Sequence, residues 1–245
     1  PEAISYDVKA DSFIVDITDF VVDGEPTDLA VDVTITDMTG AYLVEKAAMI
    51  QLTSNFTASS VEFGLAGTDE SNGSSFDAFG AMTGVAGYSN TTMADQPVPM
   101  DFPAMLAAGF VADFAFTYTQ GNSSFTIVDE NQSTTEIQTT SGGGKFNLSM
   151  DSGHMLYGVA GTGVTVNVKG TSIPFPEVQV AYDEASFELR MPLGKAEEPQ
   201  DFTLNTRLKA LTVSDFLWSM FDPGATVPRD PATLIIETSG KLKPL

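Results

Sequence analysis

The chain has 245 residues, of which 42% are hydrophobic, and its 33 acidic side chains outnumber 11 basic ones to give a formal net charge of −22. A surface this acidic repels a nucleic-acid backbone and an anionic membrane, so neither is expected as a partner. With no cysteine there are no disulfides, thiol nucleophiles or thiolate metal sites, and the ordinary hydrophobic content is that of a chain that folds.

Period-two alternation, the mark of a half-buried strand, begins at once: Ile4, Tyr6 and Val8 alternate with Ser5, Asp7 and Lys9. After a turn signal at Asp23-Gly24, Leu29, Val31, Val33 and Ile35 form the next apolar row, closed by a turn at Thr39-Gly40. Residues 64–95 are rich in Gly, Ser, Asn and Thr, with Asn72-Gly73 among them, and predict a short strand or two with long loops. In 101–109, Asp101 as cap, Pro103 in the first turn and Gly109 as terminator predict a short helix. Ala112, Phe114, Phe116 and Tyr118 make another strand row, with turns expected at Gly121-Asn122 and Gly142-Gly143-Gly144.

The alternation then resumes as Phe146, Leu148 and Met150, as Val164, Val166 and Val168, and as Val178, Val180 and Tyr182. Phe187, Leu189 and Met191 precede a turn at Leu193-Gly194, and Phe202, Leu204, Thr206 and Leu208 follow it. Residues 214–221 predict a second helix, capped by Ser214 and stopped by Asp222-Pro223-Gly224, with Phe216, Leu217, Met220 and Phe221 on one face. Both helices are expected to plug a β-layer. Leu234 and Ile236 mark the last strand. Three segments echo one another, each opening a strand with small polar residues: Ala10-Asp11-Ser12-Phe13, Ala58-Ser59-Ser60-Val61 and Glu184-Ala185-Ser186-Phe187. Connections this short join antiparallel neighbours, because a parallel crossover needs a dozen or more residues.

Chemistry-bearing patterns are sparse. The one histidine, His154, lies in a turn, and no Gly-x-Ser-x-Gly elbow accompanies it. Zinc has no ligand set other than carboxylates. Among so many carboxylates, a pair at glycosidase spacing carries no weight, and the one tryptophan, Trp218, sits in the second helix rather than on a sugar platform. Asp69-Glu70-Ser71-Asn72-Gly73 and Asp129-Glu130-Asn131 cluster oxygen ligands that suit calcium, without EF-hand or β-roll spacing, so the metal assignment stays open. Gly158, Gly161 and Gly163 lack the following helix that a phosphate site needs. No catalytic residue, cofactor site or enzymatic activity is expected. No run of about 18 apolar residues predicts a membrane-spanning helix.

Towards the C-terminus, Ile173-Pro174-Phe175-Pro176, Ala185-Ser186-Phe187-Glu188-Leu189-Arg190-Met191-Pro192 and Leu211-Thr212-Val213-Ser214-Asp215 lead into Met220-Phe221-Asp222-Pro223 and Pro228-Arg229-Asp230-Pro231-Ala232-Thr233-Leu234. Together with residues 1–8 and 33–40, these stretches resemble the alphaproteobacterial domain-of-unknown-function family numbered 2125. The resemblance implies export to the periplasm or beyond, removal of a signal peptide, and a chain that is part of a longer protein. It supplies no activity and no functional residues. The strand texture also resembles AsmA-type envelope proteins, whose curved sheets form apolar grooves for lipid, a likeness of fold alone.

The expected architecture is mainly β: a single unit over 1–245, with a subdivision near residue 100 as the alternative, built as a long curled antiparallel sheet or sandwich-like roll (a meander) with two short helices. An alternating sheet must cover its apolar face in a dry core, the commoner outcome, or against a ligand in a groove, and Phe114/Phe116 and Phe187/Leu189 would line either. The function expected is non-catalytic, in the periplasm or otherwise outside the cytoplasm, binding a lipid or other apolar ligand. The competing class is a surface or matrix protein self-associating through strand edges, with or without calcium. An outer-membrane barrel is disfavoured because aromatic girdles are missing and many apolar runs look too short to span.

Overall fold

A computed structural model describes every residue except 1, 19–20, 23–24, 27, 70–71, 96–101, 172, 174–176, 194–197 and 244–245. The turns expected at Asp23-Gly24 and Leu193-Gly194, the cap at Asp101 and the segment Pro174-Phe175-Pro176 therefore lie wholly or partly outside the described residues. The strands are β1 (Glu2–Ile17), β2 (Val21–Val22), β3 (Glu25–Pro26), β4 (Ala30–Lys46), β5 (Met49–Asp69) and β6 (Ser74–Ala94), followed by helix α1 (Phe102–Ala107). Then come β7 (Val111–Tyr118), β8 (Gln120–Val128), β9 (Thr134–Ser141), β10 (Gly144–Met150), β11 (His154–Gly170), β12 (Val178–Pro192) and β13 (Gln200–Val213). Helix α2 (Asp215–Phe221) and β14 (Ala232–Leu242) complete the order.

The expected antiparallel meander is what forms. Strands β2 and β3 pair only with each other, and the other twelve build one sheet. Its path runs β1-β4-β5-β6, then by two parallel routes, β7-β10 and β8-β9, to β11-β12-β13-β14. The two routes are halves of the same ribbons. Strands β7 and β8 pair end to end along β6 in one register, from Thr92↔Val111 to Ser75↔Val128. Strands β9 and β10 do the same along β11, from Gly170↔Thr135 to Met155↔Met150. The sheet is thus ten strands wide, which at about 4.8 Å per strand is about 43 Å along its contour.

Three sequence expectations are corrected by these lengths. Residues 64–95 hold the end of β5 and the whole 21-residue β6 rather than loops. On the face these strands share, Phe76 leans over Gly67 and Phe56 over Gly87, so neighbouring strands supply rings where the local sequence has none. Thr39-Gly40 and Gly121-Asn122 lie inside β4 and β8, and Gly142-Gly143 interrupts a ribbon without reversing it. The three echoing segments sit in mid-strand, not at strand openings. Asn72-Gly73 does turn the chain, with Gly73 N–H donating to the Asp69 carbonyl at 2.8 Å.

The mid-strand irregularities line up. Asp37, Gly84, Gly143, Gly163 and Ala210 have φ of 51°, 60°, 137°, 56° and 54°, and ladder pairing lapses beside each of them. Ser59 ties two strands here, its hydroxyl donating to Asp37 Oδ2 at 2.9 Å. A crease therefore crosses the sheet, and it shifts the alternation by one residue. Tyr118 and Gly121, three apart, face the same side, since a Cβ on Gly121 would meet the Tyr118 ring at 3.0 Å; Gly161 and Val164 are related in the same way.

Candidate functional site

Cross-strand partners share a face, so the ladders sort the side chains. On one side of the crease a row runs Val8, Gly40, Phe56, Gly87, Phe116, Phe146, Val159, Phe187, Thr206 and Ile236. On the other side of the crease the same face carries Val15, Val33, Phe63, Gly80, Ser123, Thr139, Val166, Val180 and Val213. The opposite face carries Asp7, Lys9, Asp32, Glu62, Asp77, Asp113, Lys145, Glu188 and Arg207. Along the paired strands of the first face, charged residues occur only at the ends, as Glu2, Lys46 and Asp69. One face is predominantly apolar and uncharged away from its strand ends, and the other carries most of the charge.

The crease decides which face is concave. Val85 (4% exposed), Ala58 (6%) and Val164 (7%), on the apolar face beside it, are among the few buried apolar residues of the chain. On the polar face, Asp11, Asp37, Ser59, Gly84, Thr119, Gly142, Gly163 and Asp183 are all exposed along the same line. The sheet therefore folds towards its apolar face and forms a trough crossing the strands. A cavity of about 430 Å³ occupies its floor, with Phe63 of β5 at one end, Met82, Tyr118, Val164 and Tyr182 along it, and Leu208 of β13 at the other. Tyr118 Oη and the Ser141 hydroxyl are 3.3 Å apart within it. Burial, followed by the neighbouring Tyr118, raises the Tyr182 phenol above its ordinary value of 10.0.

Beside this floor six rings form an unbroken chain across β5, β7, β10, β11 and β12. The centroids are 6.3 Å apart for Phe56–Phe114, 5.9 Å for Phe114–Phe116, 5.4 Å for Phe116–Phe146, 5.4 Å for Phe146–Tyr157 and 5.9 Å for Tyr157–Phe187. Spacings of this kind suit offset and edge-on aromatic contact. The expected pairs Phe114/Phe116 and Phe187/Leu189 thus belong to one surface, joined by Phe146 and Tyr157. Phe56 and Tyr157 were not legible as members, because ring-to-ring contact depends on register between strands.

The trough has no lid among the described residues. No large side chain among them is fully buried, and the chain exposes 15246 Å² of surface. A compact monomer of 26.0 kDa exposes about 10500 Å² by size scaling. The commoner outcome of a self-packed dry core is not what the sheet builds. Helix α1 does pack, with Leu106 at 4% exposure, and it ends as expected at Gly109: Phe110 N–H donates to the Met105 carbonyl and Gly109 N–H to that of Leu106, both at 3.0 Å. Helix α2 does not plug the layer. Met220 is 62% and Phe221 79% exposed, and Ser214 holds the N-cap position without a capping side-chain bond.

The segment that follows β13 is tied together by polar contacts. Arg229 pairs with Asp215, and Asp222 accepts from Val227 N–H at 2.8 Å and from the Thr226 hydroxyl at 2.9 Å. Those bonds, Val227 first, hold the Asp222 carboxyl below its usual range. His154 opens β11, and the Asp151 carboxylate of its turn accepts Gly153 N–H at 2.7 Å and His154 N–H at 2.8 Å.

The two acidic turns come together at the ends of β5, β6, β8 and β9, well away from the crease along the strands. Asp69, Asn72, Asp129, Glu130 and Asn131 rim a second cavity of about 800 Å³ whose apolar wall includes Leu29, Phe76, Phe125 and Ile127. Their carboxylates serve the turns: Asp69 Oδ2 accepts from Asn72 Nδ2 at 2.9 Å, and Asp129 Oδ1 accepts the N–H groups of Asn131 and Ser133 at 2.8 Å. Among the described residues no three His, Asp or Glu side chains gather closely enough to hold a metal ion, and no helix is long and apolar enough to cross a membrane. No family model, curated protein or solved structure matches the chain.

Proposed function

We propose that the chain is a non-catalytic protein of the cell envelope, acting outside the cytoplasm, that holds a lipid or similar apolar ligand in the trough. The observation that carries this reading is the uncovered apolar face on the inner side of the crease, charged only at its strand ends. Each methylene laid on such a surface contributes about 0.8 kcal/mol, and a contour of about 43 Å is longer than the roughly 30 Å hydrocarbon core of a bilayer. With no cation lining the trough's cavity among the described residues and 33 acidic residues in the chain, the ligand is an amphiphile with a neutral or zwitterionic headgroup that stays outside. The export and the longer parent protein implied by the resemblance to family 2125 belong to the same proposal.

Native mass spectrometry of gently purified protein, with organic extraction, tests it. A discrete adduct of lipid mass that is lost on denaturation is expected; a bare polypeptide mass would count against stable carriage. A second reading, assembly through strand edges, draws on the exposure of both edge strands: Ile4 is 68% exposed on β1 and Ile235 54% on β14. Its calcium-assisted form predicts that chelator disperses the assembly.

A further inference from the structure

We infer that β14 is a self-pairing edge, and that two copies of this chain join through it, antiparallel about a two-fold axis at Ser239. This inference rests on the assembly reading and specifies its interface. Every described residue of β14 except Gly240 is exposed, and one long side of the strand has no ladder partner. A two-fold axis normal to the sheet places copies of the strand antiparallel with their apolar faces on the same side, so pairing would continue the trough rather than reverse it.

Charge and strand extent together select the register, since centring on Gly240 would set Glu237 against Lys243, which lies beyond β14. Centred on Ser239, the pairing sets Glu237 opposite Lys241 of the other copy, twice by symmetry, with Ile236 opposite Leu242 on the apolar face. Centred on Glu237 or Lys241, it would oppose like charges, which is destabilising. Neither Glu237 nor Lys241 makes an ion pair among the described residues, although Lys241 stands opposite Asp201 of β13. The other edge is less suited. Strand β1 also alternates charge, as Asp7 and Lys9, but pairing these two between copies would oppose the crease at Asp11 to the straight strand at Ser5. The ladder of β14 is continuous from Leu234 to Leu242, whereas that of β1 lapses at Asp11.

The chain's lack of cysteine makes the test clean. Directly opposed residues in an antiparallel ladder have Cα atoms about 4.5–5.5 Å apart, within disulfide range. Ser239→Cys in the full chain is therefore expected to oxidise to a covalent dimer, while Ile235→Cys, eight positions from its own copy, is not. By light scattering, the unmodified chain is expected at twice 26.0 kDa. Glu237→Lys and Lys241→Glu should each weaken the dimer by about tenfold or more, and the double variant should restore it. Circular dichroism confirms that each variant keeps its strands. A monomer at all concentrations would overturn the assembly reading together with this inference. A dimer indifferent to these charges, or one restored by pairing Glu237→Lys with Lys9→Glu, would overturn β14 self-pairing and leave assembly by another edge. The lipid reading stands or falls separately on the native mass.

Discussion

Asp151 shows how one side chain sets a turn in a sheet without a buried core. Its carboxylate accepts two backbone N–H groups, Gly153 and His154, and those bonds favour the charged form, lowering its pKa from the ordinary 3.8. A depressed folded value means the bonds contribute stability above the unfolded pKa, and that contribution is lost as pH falls through the folded one. The amide proton resonances of Gly153 and His154 are therefore expected to titrate together with a midpoint below 3.8. A midpoint at or above 3.8 would show that the carboxylate does not hold this turn. The turn was legible in Asp151-Ser152-Gly153-His154, because a short side-chain acceptor two residues before a glycine acts within its own neighbourhood. Arg229 and Asp215, fourteen residues apart, are brought together only once α2 and the following loop fold.

At the scale of the element, the crease is the feature that separates apparent strands from real ones. Alternation is read with period two, and a one-residue shift at Gly84, Gly143 or Gly163 breaks each long strand into two unrelated-looking runs. Hence Val164, Val166 and Val168 were visible as a row, while their continuation through Gly161, Val159 and Tyr157 was not. The same shift removes one objection to a membrane barrel, since the strands of the main ribbons exceed the 9–11 residues a span requires; the concave placement of the apolar face is what now speaks against it. Two crease glycines differ usefully. At Gly163 (φ +56°) an added Cβ meets nothing closer than 3.7 Å, whereas at Gly84 (φ +60°) it meets Thr119 Oγ1 at 2.5 Å. Gly163→Ala is expected to cost about 1–2 kcal/mol from the backbone alone, and Gly84→Ala more, since Thr119 donates to the Thr83 carbonyl at 3.0 Å and must shift. Urea unfolding of both variants checks this ordering; equal losses would mean that Thr119 does not pack the crease.

For the whole molecule, the question is what covers the apolar face of a chain that exposes 15246 Å². Natural proteins seldom leave contiguous apolar patches beyond a few hundred Å² without a use for them. Delipidated protein is accordingly expected to bind the dye ANS strongly, and a zwitterionic lysophospholipid should displace it. Persistent dye fluorescence at saturating lysophospholipid would indicate that the dye and the lipid do not share the trough. The two edge strands pose the same question in the plane of the sheet, where unpaired N–H and C=O groups await another strand.

Composition and alternation by themselves determined that this is an antiparallel meander with two short helices. They did so because strand periodicity and turn chemistry are local properties, carried by residues two to four apart. Only the tertiary structure decided where the apolar rows go. Whether Phe114, Phe146, Tyr157 and Phe187 meet depends on register across ladders, and whether they meet inside or outside depends on the direction of the crease. Both follow from pairings between residues tens of positions apart, which no local pattern encodes.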